Sequence, residues 1–187
     1  VQAFPHALEA LKYFYEEAPE YHIAVAGSLL GVALHAGISF PVGKVQTLCL
    51  YPMDFEEFLM ALGKDQLLKL MHSQDFELMN AFHEDLKDYL RQYYYVGGMP
   101  EVVKSFVENG LLNKVREIQN EILSNYAGDF SKHAPTKEVP RIDMVWQSIL
   151  GQLSKENKKF VYGVLKKGGR AKEFELAIQW LVDAGLI

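Results

Sequence analysis

The chain has 187 residues, 49% of them hydrophobic, 23% charged and 12% aromatic, which is enough apolar content for a core and excludes a disordered chain. The formal net charge of −5 excludes a protein that coats nucleic acid over its whole surface, though not one with a local basic patch. The single Cys49 excludes an internal disulfide and, set in Leu48-Cys49-Leu50, reads as a buried thiol in a reducing, cytoplasmic setting.

No apolar run approaches 18 residues, so no membrane contact is expected, and no signal peptide is visible. The chain starts at Val1 without an initiator Met and stops at Gly185-Leu186-Ile187, so both ends read as cut from a longer protein.

In chain order, Pro5 opens a helix with Ala7, Leu8, Leu11, Phe14 and Tyr15 on one stripe, ended by Ala18-Pro19. Tyr21 to Ala26 is a short β-rich run suited to a strand covered on both faces, as in a parallel sheet. Ser28 then caps a helix to about His35, and a polar residue at the end of such a strand also sits where α/β folds bind ligands. A loop from Gly37 to Gly43 leads to a second expected strand, Lys44 to Leu50. Asp54 caps the next helix and Glu57 completes a capping box, with Gly63 as the stop.

From Asp65 the pattern is helical: Asp65 to about His72, and one long helix from Asp75 to about Val96. Gly97-Gly98-Met99-Pro100-Glu101 then makes a corner, because glycine suits a helix C-terminus and proline suits the first turn of the next. Two readings stand there. The segment is a plain joint, or it lets backbone without Cβ approach a ligand beside the wall Tyr93-Tyr94-Tyr95. Further helices run from Pro100 to about Glu108 and from Leu111 to about Lys132. His133 to Pro140 reads as a linker. Arg141 to about Leu153 and Arg170 to about Ala184 are helices, with a Gly168-Gly169 turn between them and a strand start at Leu186-Ile187. That order is the order of a winged helix-turn-helix.

The segment from Ser154 to Arg170 is basic, and Lys158, Lys159, Lys166, Lys167 and Arg170 are candidate phosphate contacts for DNA. The following helix carries Glu173, Glu175 and Asp183, which repel phosphates, so a solvated face or a partner-protein surface is an equal reading. The six histidines have no metal-ligand spacing, and no metal site is expected. No G-x-x-x-x-G-K-[ST] pattern occurs in the chain.

Taken together, Val1-Gln2, Ala26-Gly27-Ser28, Tyr51-Pro52-Met53-Asp54-Phe55-Glu56-Glu57-Phe58, Gly97-Gly98-Met99-Pro100-Glu101 and the helical end resemble a family of prokaryotic AAA-type ATPases. These are close to the STAND signalling NTPases and carry a C-terminal domain of unknown function. The resemblance implies an α/β plus all-α fold, mostly helical overall. Residues 1–62 would be the second half of a P-loop-type parallel-sheet core, 63–133 a helical lid and 134–187 a winged-helix-like module.

It implies that the P-loop and the Walker B acids precede residue 1, and that ATP and Mg²⁺ bind the full-length protein but not this chain tightly. It places Ser28 at the sensor-1 position, where a hydroxyl can orient water or touch the γ-phosphate. It places Gly98 and Pro100 in a Gly-x-Pro lid motif near the adenine. Lys44 stands where the family usually has Arg, and its lack of a bidentate fork weakens an arginine-finger-like role. The function implied is nucleotide-driven lid movement coupled to the C-terminal module. The competing class is a non-enzymatic module that binds DNA or a partner protein.

Overall fold

The computed structural model describes residues 6–27, 43–157 and 159–187. Val1-Gln2, Pro5, Ser28 with the helix it was expected to cap, the loop up to residue 42, and Lys158 lie outside the described residues. The described chain is helical: α1 His6–Glu17, α2 Phe55–Ala61, α3 Asp65–Ser73, α4 Phe76–Ala81, α5 His83–Val96, α6 Pro100–Asn109, α7 Leu112–His133, α8 Val139–Leu153, a single 3₁₀ turn Tyr162–Val164, and α9 Ala171–Asp183.

The parallel-sheet core expected for residues 1–62 is not present among the described residues. Tyr21–Ala26 and Lys44–Leu50 form no strand. Strand preference in a sequence measures fit to a pleated, half-buried surface rather than a backbone preference, and without neighbouring strands it has nothing to act on. Leu48 is 87% exposed and Leu50 93% exposed, so these apolar side chains meet no covering layer. Cys49 between them is exposed for the same reason, not buried as its apolar neighbours suggested. Leu186-Ile187 is not a strand either.

By contact the chain divides into two compact units: residues 1–48 with 127–187, and residues 49–126. In the second, Phe58, Val96, Val102, Val103 and Val115 form the buried core, with Met53, Phe55, Tyr93, Phe106, Ile118 and Ile122 packed round it. Helix α2 packs on α3, α5 and α6. The start of α2 follows its local signal. The Asp54 side chain accepts from Glu57 N–H at 2.9 Å and the Glu57 carboxylate accepts from Asp54 N–H at 2.9 Å, which is a complete capping box.

The long helix expected from Asp75 to Val96 is interrupted. Phe82 leaves the helical basin at φ −102°, ψ 15° and its N–H turns tightly onto Met79 O at 3.2 Å before the helix restarts. Phe76, in the first turn of the interrupted part, is 75% exposed.

In the unit that holds the C-terminal segment, α8 packs on α9. Phe130, Ile142, Val145, Phe174, Ala177 and Leu181 are buried, with Phe130 edge-on to both Trp146 and Trp180 at 5.6 Å. The loop after α8 is held by buried Gln152, whose amide donates to Val161 O at 3.0 Å and accepts from Val161 N–H at 3.1 Å. One side chain thereby satisfies both backbone groups of a residue with no helix or strand of its own. Helix α7 contributes to both units, through Val115 at its start and Phe130 near its end.

Candidate functional site

The corner at Gly97-Gly98 is a built joint. Helix α5 ends where Gly97 takes φ 74°, ψ −174°, a region open essentially to glycine, and its N–H reaches back to Tyr93 O at 2.7 Å. Met99 is extended and Pro100 opens α6. Gln119 of α7 completes the end of α5: its Nε2 donates to Tyr95 O and Val96 O, both at 2.9 Å, pairing carbonyls that a helix C-terminus leaves open.

What meets the corner is the backbone of Met53, the residue before the capping box of α2. Met53 N–H donates to Gly98 O at 2.7 Å. Met53 O accepts from the Tyr93 hydroxyl at 2.8 Å. A Cβ placed on Gly98 would lie 2.1 Å from Met53 O and 2.9 Å from Met53 N, both backbone atoms that cannot turn aside. So Gly98 is required for a close approach to the chain's own backbone at Met53.

The aromatic wall is used in the same way. The Tyr93 ring packs against Phe55 at 5.8 Å and Phe58 at 5.5 Å. Tyr95 lies under the Arg116 guanidinium at 5.0 Å. Tyr94 stays exposed.

Tyr93→Phe isolates one bond of this joint, because it keeps the ring contacts and removes the hydroxyl. It should cost about 1.5 kcal/mol and speed amide exchange at Met53 about ten-fold. Residue-resolved exchange by NMR checks it, and an unchanged Met53 rate would mean that the hydroxyl does not hold the strap.

Beside the joint lies a shallow depression of about 260 Å³ lined by Met53, Ala61, Pro100, Val103, Lys104, Val107 and Glu108. Its lining is mostly apolar, with one cation, Lys104, and one anion, Glu108. Of the two corner candidates, Pro100 lines this depression and is exposed, while Gly98 faces the Met53 backbone.

The other expected site residues stand elsewhere. Lys44 is half-buried and ion-paired with Glu16. Ser28 lies outside the described residues. Of the basic candidates, Lys159, Lys167 and Arg170 are exposed, while Lys166 pairs with Glu173 at 3.3 Å. Glu84, on the solvent face of α5, is held below the usual carboxylate range by its hydrogen bond to Lys87 and then by that residue's charge.

The Cβ-free face of Gly98 is filled by Met53, and among the described residues no His, Cys, Asp and Glu group could hold a metal ion. Nor, among the described residues, is any helix long and apolar enough to cross a membrane.

Sequence reasoning placed the corner but missed Met53, the Tyr93 hydroxyl, Gln119 and Gln152 as the groups that hold it and the C-terminal loop. None has a local signature. Each acts on a backbone group at least nine residues away.

Comparison with known families gives two matches. Residues 87–187 match a family described as Domain of unknown function (DUF8612), and residues 1–59 match an AAA domain. No curated protein and no solved structure matches the chain. The first segment is therefore AAA-type ATPase-like, and the second, more than half of the chain, is a domain to which its description gives no function.

Proposed function

The chain belongs to the Domain of unknown function (DUF8612) family, and from that premise we propose that it couples an AAA-type ATPase segment to a helical output domain, the Met53–Gly98 joint being the coupling. The observation that carries this reading is where the joint falls. Met53 lies inside the AAA-matched residues 1–59, while Tyr93 and Gly98 lie inside the matched residues 87–187. Two hydrogen bonds and a glycine-dependent backbone contact lock one to the other. A displacement of the chain at Met53 is thus carried directly into α5 and α6.

ATP and Mg²⁺ belong to a longer protein with a phosphate-binding loop, which residues 1–187 do not contain. What these residues offer a nucleotide is apolar surface: the exposed Pro100 ring beside Met53 and Val103 in the depression. That agrees with the adenine-side role that the STAND-like Gly98-Met99-Pro100 motif implies. The motion delivered through the joint then repositions the C-terminal helices α8 and α9.

In an ATP-binding protein that carries this chain together with its phosphate-binding loop, Pro100→Ala should weaken nucleotide binding about five-fold, equivalent to losing about 1 kcal/mol of apolar contact. Titration calorimetry with ATP and with ADP tests it. Unchanged affinity for both would remove Pro100 from the nucleotide site.

A further inference from the structure

Seven of the 19 lysines and arginines fall within residues 154–172, where Glu156 is the one acid, in a chain whose net charge is −5. The Met53–Gly98 coupling makes no use of this segment. It joins α8 to α9 inside one compact unit, and it is a built turn. Buried Gln152 holds both backbone groups of Val161. Gly168 takes φ 76°, and Gly169 N–H donates to Lys166 O at 2.8 Å. A Cβ on Gly169 would lie 3.0 Å from both Lys166 O and Tyr162 O and 3.2 Å from the ring of buried Phe174. The turn is folded onto the core of its unit, with Lys167 and Arg170 on either side of the two glycines.

Two of the cations are already engaged. Lys166 pairs with Glu173 at 3.3 Å, which neutralises the acid in the first turn of α9, and Lys155 donates to Gln152 Oε1 at 3.1 Å. Lys159, Lys167, Arg170 and Lys172 are exposed, and among the described residues none of them has an ion-pair partner. Arg170 and Lys172 stand at the start of α9, where the helix dipole disfavours cations. Nothing in the fold of this unit rewards that placement, whereas an external polyanion does. Glu175 and Asp183 lie in later turns of α9, Asp183 about 18 Å along the axis from its start. They repel a polyanion laid along the helix more than one held at the turn.

The rings of the segment separate two kinds of nucleic acid. Phe160 and Tyr162 are half-buried and packed on each other at 5.0 Å, and Tyr162 stacks on Phe174 at 6.3 Å. Single strands are held on exposed aromatic platforms, while a duplex is held by cations on its phosphates. We propose that the turn between α8 and α9 is a binding surface for the phosphate backbone of duplex DNA, contacted by Lys159, Lys167, Arg170 and Lys172. Contacts to phosphate position a duplex without reading its sequence. The surface gives the C-terminal helices of the proposed coupling a target. Its test contains no ATP and leaves the Met53–Gly98 joint untouched, so either reading can fail alone.

The test titrates a labelled mixed-sequence duplex of about 20 base pairs with the 187-residue chain, by fluorescence anisotropy across a salt series. Affinity should fall with salt with a log–log slope of about −3.6, the value for four neutralised phosphates. Lys167→Ala with Arg170→Ala should weaken binding more than about ten-fold and bring the slope to about −1.8, and Lys159→Ala with Lys172→Ala should do the same. Lys167→Arg with Arg170→Lys should keep the parent slope. Lys69→Ala with Lys114→Ala removes the same charge at exposed positions of the other unit and should also keep it. The proposal is overturned by absence of duplex binding at about 50 mM salt, or by equal weakening in the Lys69 and Lys114 pair. Tighter binding of a single strand of the same length, or of anionic lipid vesicles, than of the duplex overturns it as well.

Discussion

Gly98→Ala should destabilise the unit formed by residues 49–126 by about 3 kcal/mol, the upper range for forcing extra volume into a packed site. The new methyl would meet Met53 O at 2.1 Å, and the neighbour is backbone already fixed by its bonds to Gly98 O and Tyr93. Relief requires the strap to lift, which breaks both hydrogen bonds and exposes the edge of the Phe58 cluster. Exchange protection at Val102 and Val103, both fully buried, reads the loss. Protection within about 0.5 kcal/mol of the parent would show that the strap is not packed on the corner.

The second large effect belongs to the other unit. Phe130→Ala should cost about 4 kcal/mol, since Phe130 is completely buried and stands edge-on to both tryptophans. The chain's two tryptophans, Trp146 and Trp180, both lie in this unit, so tryptophan fluorescence during urea unfolding reports it alone. The fluorescence midpoint should fall sharply in Phe130→Ala, while the Val102 and Val103 amides keep their protection. In Gly98→Ala the pattern should reverse. A common shift of both probes in either variant would mean that the two cores unfold as one.

Much of the helical part was legible because its signals are local. Asp54 and Glu57 lie three residues apart and form the capping box that their spacing predicts. Asn109-Gly110 ends α6 with Gly110 in the left-handed region, and Pro100 opens it. The β-rich runs misled because a strand is a relation between segments. Tyr21–Ala26 and Lys44–Leu50 carry the right residues, but a strand also needs neighbours, and none pairs with them among the described residues. The break at Phe82 lacks a glycine or proline to announce it and arises from one tight turn.

The candidate site was half legible. Two adjacent glycines read as a plain joint or as an approach to a ligand, and what Gly98 meets is the backbone of Met53. Sequence could not say that its partner is Met53, 45 residues back, or that a tyrosine hydroxyl and a distant glutamine complete the joint. Such pairings are fixed by packing around Phe58 and Val96, not by spacing along the chain.

The coupling proposed for this chain rests on Met53 moving with α5 and α6. The most direct measurement is the exchange rate of the Met53 amide in the 187-residue chain, compared with Val102 and Val103 on one side and Leu50 and Tyr51 on the other. Met53 should exchange only with the cooperative opening that exposes Val102 and Val103. Exchange of Met53 at the rate of Leu50 and Tyr51 would show that the strap slides freely over the corner, and would contradict the coupling.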